Sequence, residues 1–127
     1  WRARGITLTL ESFDFKVLEQ MQRVCGDVGE YVFLVDTWGE PRFDETAKIF
    51  DGISFNYVLT KDSDWVEQAK VRGLKVFIWT ARAEDAQNSI EEYYSEFVLS
   101  GADGIFADQP DLLLEVAQGL ENPGLEH

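Results

Sequence analysis

The sequence predicts an α/β fold of five consecutive βα units, arranged as an incomplete (β/α)8 barrel, the architecture also called a TIM barrel. Five short apolar runs alternate with segments whose apolar residues recur at helical spacing. These runs are continuously apolar rather than alternating, which is typical of parallel strands covered on both faces. A complete barrel takes roughly 250 residues, so the 127 residues of this chain correspond to part of one.

The first two βα units lie in the amino-terminal part of the sequence. Ile6–Leu10 is a β-branched and apolar run, so we expect the first strand there. Asp14 stands in the position of an N-cap, and the helix that follows it is expected to end at Gly26. Tyr31–Val35 predicts the second strand, and a short helix is expected near residues 44–50.

The other three units follow in the same order. A helix that begins near Trp65 is expected to end at Gly73, because glycine is common just after a helix. The next helix ends at Gly101, and Pro110 stands in the first turn of the last helix, where proline is favoured. The third, fourth and fifth strands are predicted at Ile53–Val58, Lys75–Trp79 and Gly104–Ala107.

Charge and composition argue against several classes of function. The chain has 24 acidic and 11 basic residues, and its net charge of −13 at pH 7 repels nucleic acids and anionic membranes. No apolar run is long enough to span a bilayer. The single cysteine, Cys25, is expected to be a small buried group on the first helix rather than a reactive thiol. We therefore expect neither nucleic acid nor membrane as a partner.

The sequence contains one histidine, His127, which is its last residue. We interpret residues 123–127 as a partly vector-derived tail and residues 1–122 as a single portion of a barrel domain. Without that tail, the sequence has no histidine for general acid–base catalysis.

Three motifs occur in order along the chain: Ser12-Phe13-Asp14 after the first strand, Gly73 followed by Val76-Phe77-Ile78-Trp79-Thr80, and Gly101–Leu112 (GADGIFADQPDL). In order and spacing they resemble the glycerophosphodiester phosphodiesterase family, which folds as a (β/α)8 barrel. The segment Thr80-Ala81-Arg82 with Asp85 is similar to the bacterial periplasmic-type branch of that family. The resemblance covers the last five of eight strands, and Ala107 stands where the family usually has threonine.

This resemblance implies hydrolysis of a small-molecule glycerophosphodiester to glycerol 3-phosphate and an alcohol. In the family, a divalent cation (Ca²⁺ or Mg²⁺) polarises the phosphoryl group, and two histidines act as acid and base. The family motifs that supply these groups, His-Arg-Gly, Glu-x-Asp, Glu-x-Lys and a second histidine, would lie upstream of Trp1. We therefore expect residues 1–122 to be the carboxyl-terminal portion of the phosphodiesterase domain, with no catalytic residue and no activity alone.

Three residues are candidates for substrate binding. By resemblance, Trp79 lines the glycerol pocket and Phe13 forms an apolar wall of the same pocket, while packing in the core is the alternative for both. Arg82 is a candidate for the phosphate, because a guanidinium group matches phosphate oxygens and stays charged. The alternative for Arg82 is an ion pair with Glu84 or Asp85.

Carboxylates at strand ends have simpler expected roles. Asp103 is expected to accept hydrogen bonds from backbone N–H groups in the turn after Gly101, and Asp108 to cap the last helix. Glu11, Asp36 and Asp108 end three of the strands and are oxygen ligands of the kind that Mg²⁺ and Ca²⁺ prefer. The resembled family takes its metal ligands from other strands, so we predict no metal ligand in this chain.

Two other interpretations stay open. A non-catalytic half-barrel, natural or engineered, would expose two sheet edges and an apolar inner face, and would pair with a second copy or with a complementing amino-terminal half-barrel. A flavodoxin-like binding domain would require a strand order that differs from chain order. The sequence does not indicate the source, the alcohol of the substrate or the cellular compartment.

Overall fold

The computed structural model describes residues 4–39 and 41–121. The predicted tail, residues 123–127 with His127, lies outside the described residues. A 3-10 turn, Ala83–Asp85, precedes the fifth helix. The strands and α-helices of the described residues are β1 (Thr9–Ser12), α1 (Phe15–Cys25), β2 (Glu30–Val35), α2 (Phe43–Ile49), β3 (Gly52–Asn56), α3 (Tyr57–Lys61), α4 (Trp65–Val71), β4 (Lys75–Ala81), α5 (Ile90–Val98), β5 (Gly104–Ala107) and α6 (Pro110–Glu121).

The five strands pair in chain order, β1-β2-β3-β4-β5, and every neighbouring pair is parallel. This order confirms the predicted incomplete barrel and contradicts the flavodoxin-like alternative. The sheet is strongly curved: the ring centroids of Phe13, just after β1, and Trp79, on β4, are 5.9 Å apart, although two strands lie between them.

The helices pack on one face of the sheet. Residues two apart on the same strand, such as Ile53 and Phe55 or Val76 and Ile78, are buried in one apolar cluster with helical residues such as Phe97. The alternate residues of each strand point to the opposite side, called here the helix-free face. A smaller cluster packs α1 against β2 through Phe15, Leu18, Tyr31 and Phe50. None of the helices within the described ranges combines the length and hydrophobicity needed to cross a bilayer.

Four of the five strands have bounds that differ from those predicted, and in β2 and β4 only one end differs, because β2 begins at Glu30 and β4 ends at Ala81. The first strand is Thr9–Ser12 instead of Ile6–Leu10, because these four residues are the ones that align with β2. The third strand ends at Asn56, because the Asn56 side chain accepts a hydrogen bond from the backbone N–H of Val58 at 3.2 Å and caps α3. A local cap therefore ends a run that is apolar enough to continue as a strand.

Helix α1 confirms one prediction and contradicts another. As predicted, Asp14 is its N-cap, and its Oδ1 accepts hydrogen bonds from the N–H groups of Lys16 and Val17 at 3.0 and 3.2 Å. The expectation that Cys25 is buried was wrong, because its side chain is exposed. Cys25 is the last residue of α1, and the chain leaves the helix at Gly26 with φ of +63°.

On the helix-free face, β4 and β5 approach each other closely. Phe77 pairs with Gly104, and a Cβ atom at Gly104 would lie 2.6 Å from Cδ1 of Phe77. The Phe77 ring also lies beside Phe106, with 6.5 Å between ring centroids. Phe77 comes two residues before Trp79 on the same strand, so its ring lies one layer beneath Trp79 on this face.

Asp103 connects three elements at the amino-terminal edge of the sheet. Its Oδ2 accepts a hydrogen bond from the backbone N–H of Val76 at 2.8 Å, and both carboxylate oxygens lie 2.8 Å from Nζ of Lys70 on α4. The backbone N–H that it binds is thus on β4 and not, as expected, in the turn after Gly101. The Lys70 ammonium group, and next the Val76 N–H, lower the pKa of Asp103 from its usual value.

The pKa of Glu11 is shifted in the direction opposite to that of Asp103. It alternates on β1 with Leu10, which packs toward α1, so its carboxylate belongs to the helix-free face. Burial raises the pKa of the Glu11 carboxyl above its usual value. Glu11 therefore has a partly desolvated carboxylate on an edge strand.

We expect Asp103→Ala to lower the free energy of unfolding by about 2 kcal/mol, because it leaves the N–H of Val76 without its charged acceptor. Lys70→Met removes only a partly exposed ion pair and is expected to cost less than about 1 kcal/mol. Urea unfolding monitored by circular dichroism measures both changes. Equal losses in the two variants would contradict the role given to the Val76 hydrogen bond.

Glu11→Gln is expected to change how stability depends on pH. Because the folded-state pKa of Glu11 is raised, its contribution to stability is present below about pH 4 and is lost as pH rises through the folded-state pKa. At neutral pH the variant should be more stable than the unmodified chain by about 0.5 kcal/mol after solvent screening. Urea unfolding across this pH range tests the expectation, with exposed Glu115→Gln as control. A destabilised variant at neutral pH would refute it.

Candidate functional site

The carboxyl ends of the five parallel strands lie along one edge of the curved sheet. In (β/α)8 barrels, the loops at this end of the strands form the functional pocket. We call the surface formed by the last three residues of each strand and the residue that directly follows them the mouth. It contains all three predicted substrate-binding residues, Phe13 after β1, Trp79 on β4 and Arg82 after β4.

Phe13 and Trp79 form an edge-to-face aromatic pair at the mouth. Their ring planes are 83° apart at a centroid separation of 5.9 Å. Phe13 is 58% exposed, which contradicts the alternative of a packed core residue. The Nε1 atom of Trp79 is buried and has no hydrogen-bond partner within the described residues. The pair therefore offers an exposed apolar wall, and the indole N–H beside it is buried.

Arg82 pairs with Asp108 rather than with the neighbouring Glu84 or Asp85. Its Nε lies 3.5 Å from Oδ2 of Asp108, and the two side chains are 52% and 56% exposed. In the described part of the chain, no N–H group of the first turn of α6 donates to Asp108, so the expected cap is not formed. The backbone N–H of Arg82 donates to the hydroxyl of Tyr93 at 3.1 Å.

Two polar side chains at the mouth are joined to each other. Nδ2 of Asn56, at the end of β3, donates a hydrogen bond to Oδ1 of Asp36, directly after β2, at 2.7 Å. Among residues 4–39 and 41–121, no three His, Cys, Asp or Glu side chains are grouped closely enough to hold a metal ion. Glu11, Asp36 and Asp108 therefore do not form a cation site, and the residues present do not fit the metal that the family resemblance implies.

Tyr93, on α5, contacts a residue of the mouth, and the sequence analysis did not identify this contact. Its spacing on α5 predicts a core residue, and its ring does pack against Tyr57 and Phe97 at centroid distances of 5.9 and 5.1 Å. Only the packing of α5 against β4 brings its hydroxyl to Arg82. A pattern of apolar spacing carries no signal for that contact.

Comparisons with known proteins bear on the family and the fold of the chain. The model of the glycerophosphoryl diester phosphodiesterase family matches residues 1–112. No curated protein sequence matches the chain. A glycerophosphodiester phosphodiesterase from Parabacteroides distasonis ATCC 8503 is similar to 87% of this chain, with 25% identity and a TM-score of 0.66, over 43% of its own length.

Two further solved structures share the fold. A phosphodiesterase from Oleispira antarctica, solved with the product sn-glycerol-3-phosphate, has a TM-score of 0.71 at 16% identity over 91% of this chain and 43% of its own. A protein from Silicibacter pomeroyi DSS-3 has a TM-score of 0.71 at 18% identity over 89% of this chain and 38% of its own. The chain thus spans about two fifths of the structures that it matches. By its family match and its fold, this chain belongs to the glycerophosphoryl diester phosphodiesterase family.

Proposed function

We propose that this chain forms the substrate-binding wall of a metal-dependent glycerophosphodiester phosphodiesterase, which hydrolyses its substrate to glycerol 3-phosphate and an alcohol. In this proposal Phe13 and Trp79 contact the glycerol group, and Arg82 binds the phosphate. The observation that carries it is the aromatic pair at the mouth, with its exposed Phe13 ring. Glycerol presents C–H groups that pack against such a ring.

Arg82 matches the charge of a phosphodiester. A guanidinium group binds two phosphate oxygens through parallel N–H donors and stays protonated at any physiological pH. The chain carries a net charge of −13, so an anionic substrate needs a local cation to approach the mouth. Arg82 follows Trp79 by three residues in the sequence, and both lie toward the carboxyl end of β4.

The groups that carry out the hydrolysis are not assigned to this chain. Apart from His127 the sequence has no histidine, and the described residues contain no metal cluster. General acid–base chemistry and the divalent cation would come from the strands that carry the family's other motifs. The chain alone then binds product-like anions but does not turn over substrate.

The purified chain is expected to release no glycerol 3-phosphate from sn-glycero-3-phosphocholine in the presence of Ca²⁺ or Mg²⁺. It should nevertheless bind sn-glycerol 3-phosphate in an NMR titration, and Arg82→Ala should weaken that binding at least about tenfold, the loss of one charge-assisted bidentate contact. Arg23→Ala, which removes the same charge from the exposed end of α1, is the matched control. Turnover abolished by a chelator would refute the inactivity, and equal binding by both variants would refute the role of Arg82.

A second candidate function, self-assembly, is favoured by the helix-free face. Phe106 on this face is 46% exposed, and among residues 4–39 and 41–121 β1 and β5 each have a neighbouring strand on one side only. Exposed edges and apolar patches of this kind promote pairing with another chain. We propose that a second copy, or a complementing amino-terminal half-barrel, covers this face.

Light scattering after size-exclusion chromatography is expected to detect dimers or larger species. Salt should increase their fraction, because it screens repulsion between copies with a charge of −13 each. Phe106→Asp should give a monomer, whereas Leu99→Asp, a change at a 71% exposed position on the helical side, should not. A monomer at every salt concentration would contradict self-assembly.

A further inference from the structure

We infer that Asp108 and Tyr93 are positioning residues that hold Arg82 in the orientation that binds phosphate. This inference rests on the proposed function, because it assigns to two further residues a part in the same site. Neither Asp108 nor Tyr93 contacts the substrate in this arrangement. Each acts on Arg82, one through the side chain and one through the backbone.

Asp108 acts on the guanidinium group from the side. The contact joins Oδ2 of Asp108 to Nε of Arg82, 3.5 Å apart. A guanidinium group has five N–H donors. A contact at Nε does not use the donors of the two terminal nitrogens. The two terminal nitrogens together form a fork that can bind two phosphate oxygens in parallel. The aspartate therefore restrains the arginine without occupying the donors that the substrate needs.

The backbone fixes Asp108 relative to Arg82. Ala81 pairs with Ala107 across β4 and β5, and the N–H of Asp108 donates to the carbonyl oxygen of Ala81 at 3.0 Å. Arg82 and Asp108 are thus the next residues of two paired strands. Their relative position follows from the sheet and not from a flexible loop.

Tyr93 restrains the same residue from the helical side. Its hydroxyl oxygen accepts the hydrogen bond from the backbone N–H of Arg82 at 3.1 Å. The Tyr93 ring is itself held between Tyr57 and Phe97, at centroid distances of 5.9 and 5.1 Å. The point at which the chain leaves β4 is therefore anchored to α5, and the base of the Arg82 side chain has a defined place.

The negative charge of Asp108 makes the effect of its removal informative. Electrostatics alone predicts that losing a carboxylate beside a phosphate site tightens the binding of an anion. Positioning predicts the opposite, because the arginine loses its restraint. An exposed ion pair contributes at most about 1 kcal/mol, which is about fivefold in affinity. The two explanations thus predict opposite changes in anion affinity when the Asp108 carboxylate is removed.

The experiment is an NMR titration of the full chain with sn-glycerol 3-phosphate. Asp108→Asn is expected to raise the dissociation constant about threefold, within the range for an exposed pair. Asp111→Asn, which removes an equal charge from α6, should leave it unchanged or lower it. Tyr93→Phe, which keeps the ring and removes the hydroxyl, should raise it about twofold. Circular dichroism melts of the variants separate these effects from loss of folding.

A second measurement needs no ligand. The Nε–Hε group of Arg82 should give a positive heteronuclear NOE in the unmodified chain and a markedly smaller one in Asp108→Asn. Equal values in the two chains would overturn the inference, as would tighter binding by Asp108→Asn than by the unmodified chain. If the NOE falls in Asp108→Asn while Arg82→Ala binds like the unmodified chain, the restraint of Arg82 stands and its phosphate role in the proposed function fails.

Discussion

The structure depends on one constraint, which is that each strand runs parallel to the next strand in the chain. A parallel connection has to return across the sheet, and it does so through a helix with a right-handed crossover. Because the strand order never reverses, each return places its helix on the same face. In the part of the chain that the structure describes, one face is therefore covered by helices, the other is not, and all carboxyl ends meet at one edge. Phe13, Trp79 and Asp108 share that edge for this reason, although they are distant in sequence.

Carboxylates serve different purposes on the two parts of this sheet. At the amino-terminal edge, Asp103 is fully engaged by Lys70 and by the backbone of β4, and its pKa is lowered. On the helix-free face, Glu11 is partly desolvated and its pKa is raised. The first arrangement stabilises the folded chain, and the second costs stability. Such a division between a stable lower end and a costly, functional upper end is typical of the barrel architecture.

Much of the fold and part of the site could be predicted from the sequence. Continuous apolar runs mark the strands, and both ends of the fifth strand, Gly104–Ala107, agree with the prediction. The errors have physical causes. Residues 53–58 are rich enough in β-branched and aromatic side chains to predict a strand, and the Asn56 cap decides where it ends. Whether Cys25 is buried or exposed depends on where α1 ends relative to the sheet. The contact between Arg82 and Tyr93 needs the packing of α5 on β4, which no local pattern encodes.

Gly104 has a consequence for the shape of the surface beneath the aromatic pair. Since a Cβ atom there would lie 2.6 Å from Cδ1 of Phe77, the phenylalanine ring keeps its place only because position 104 has no side chain. Any larger residue would displace that ring from the strand that it covers. A hydrogen atom in place of a methyl group on β5 thus lets the two strands share one aromatic layer beneath Trp79.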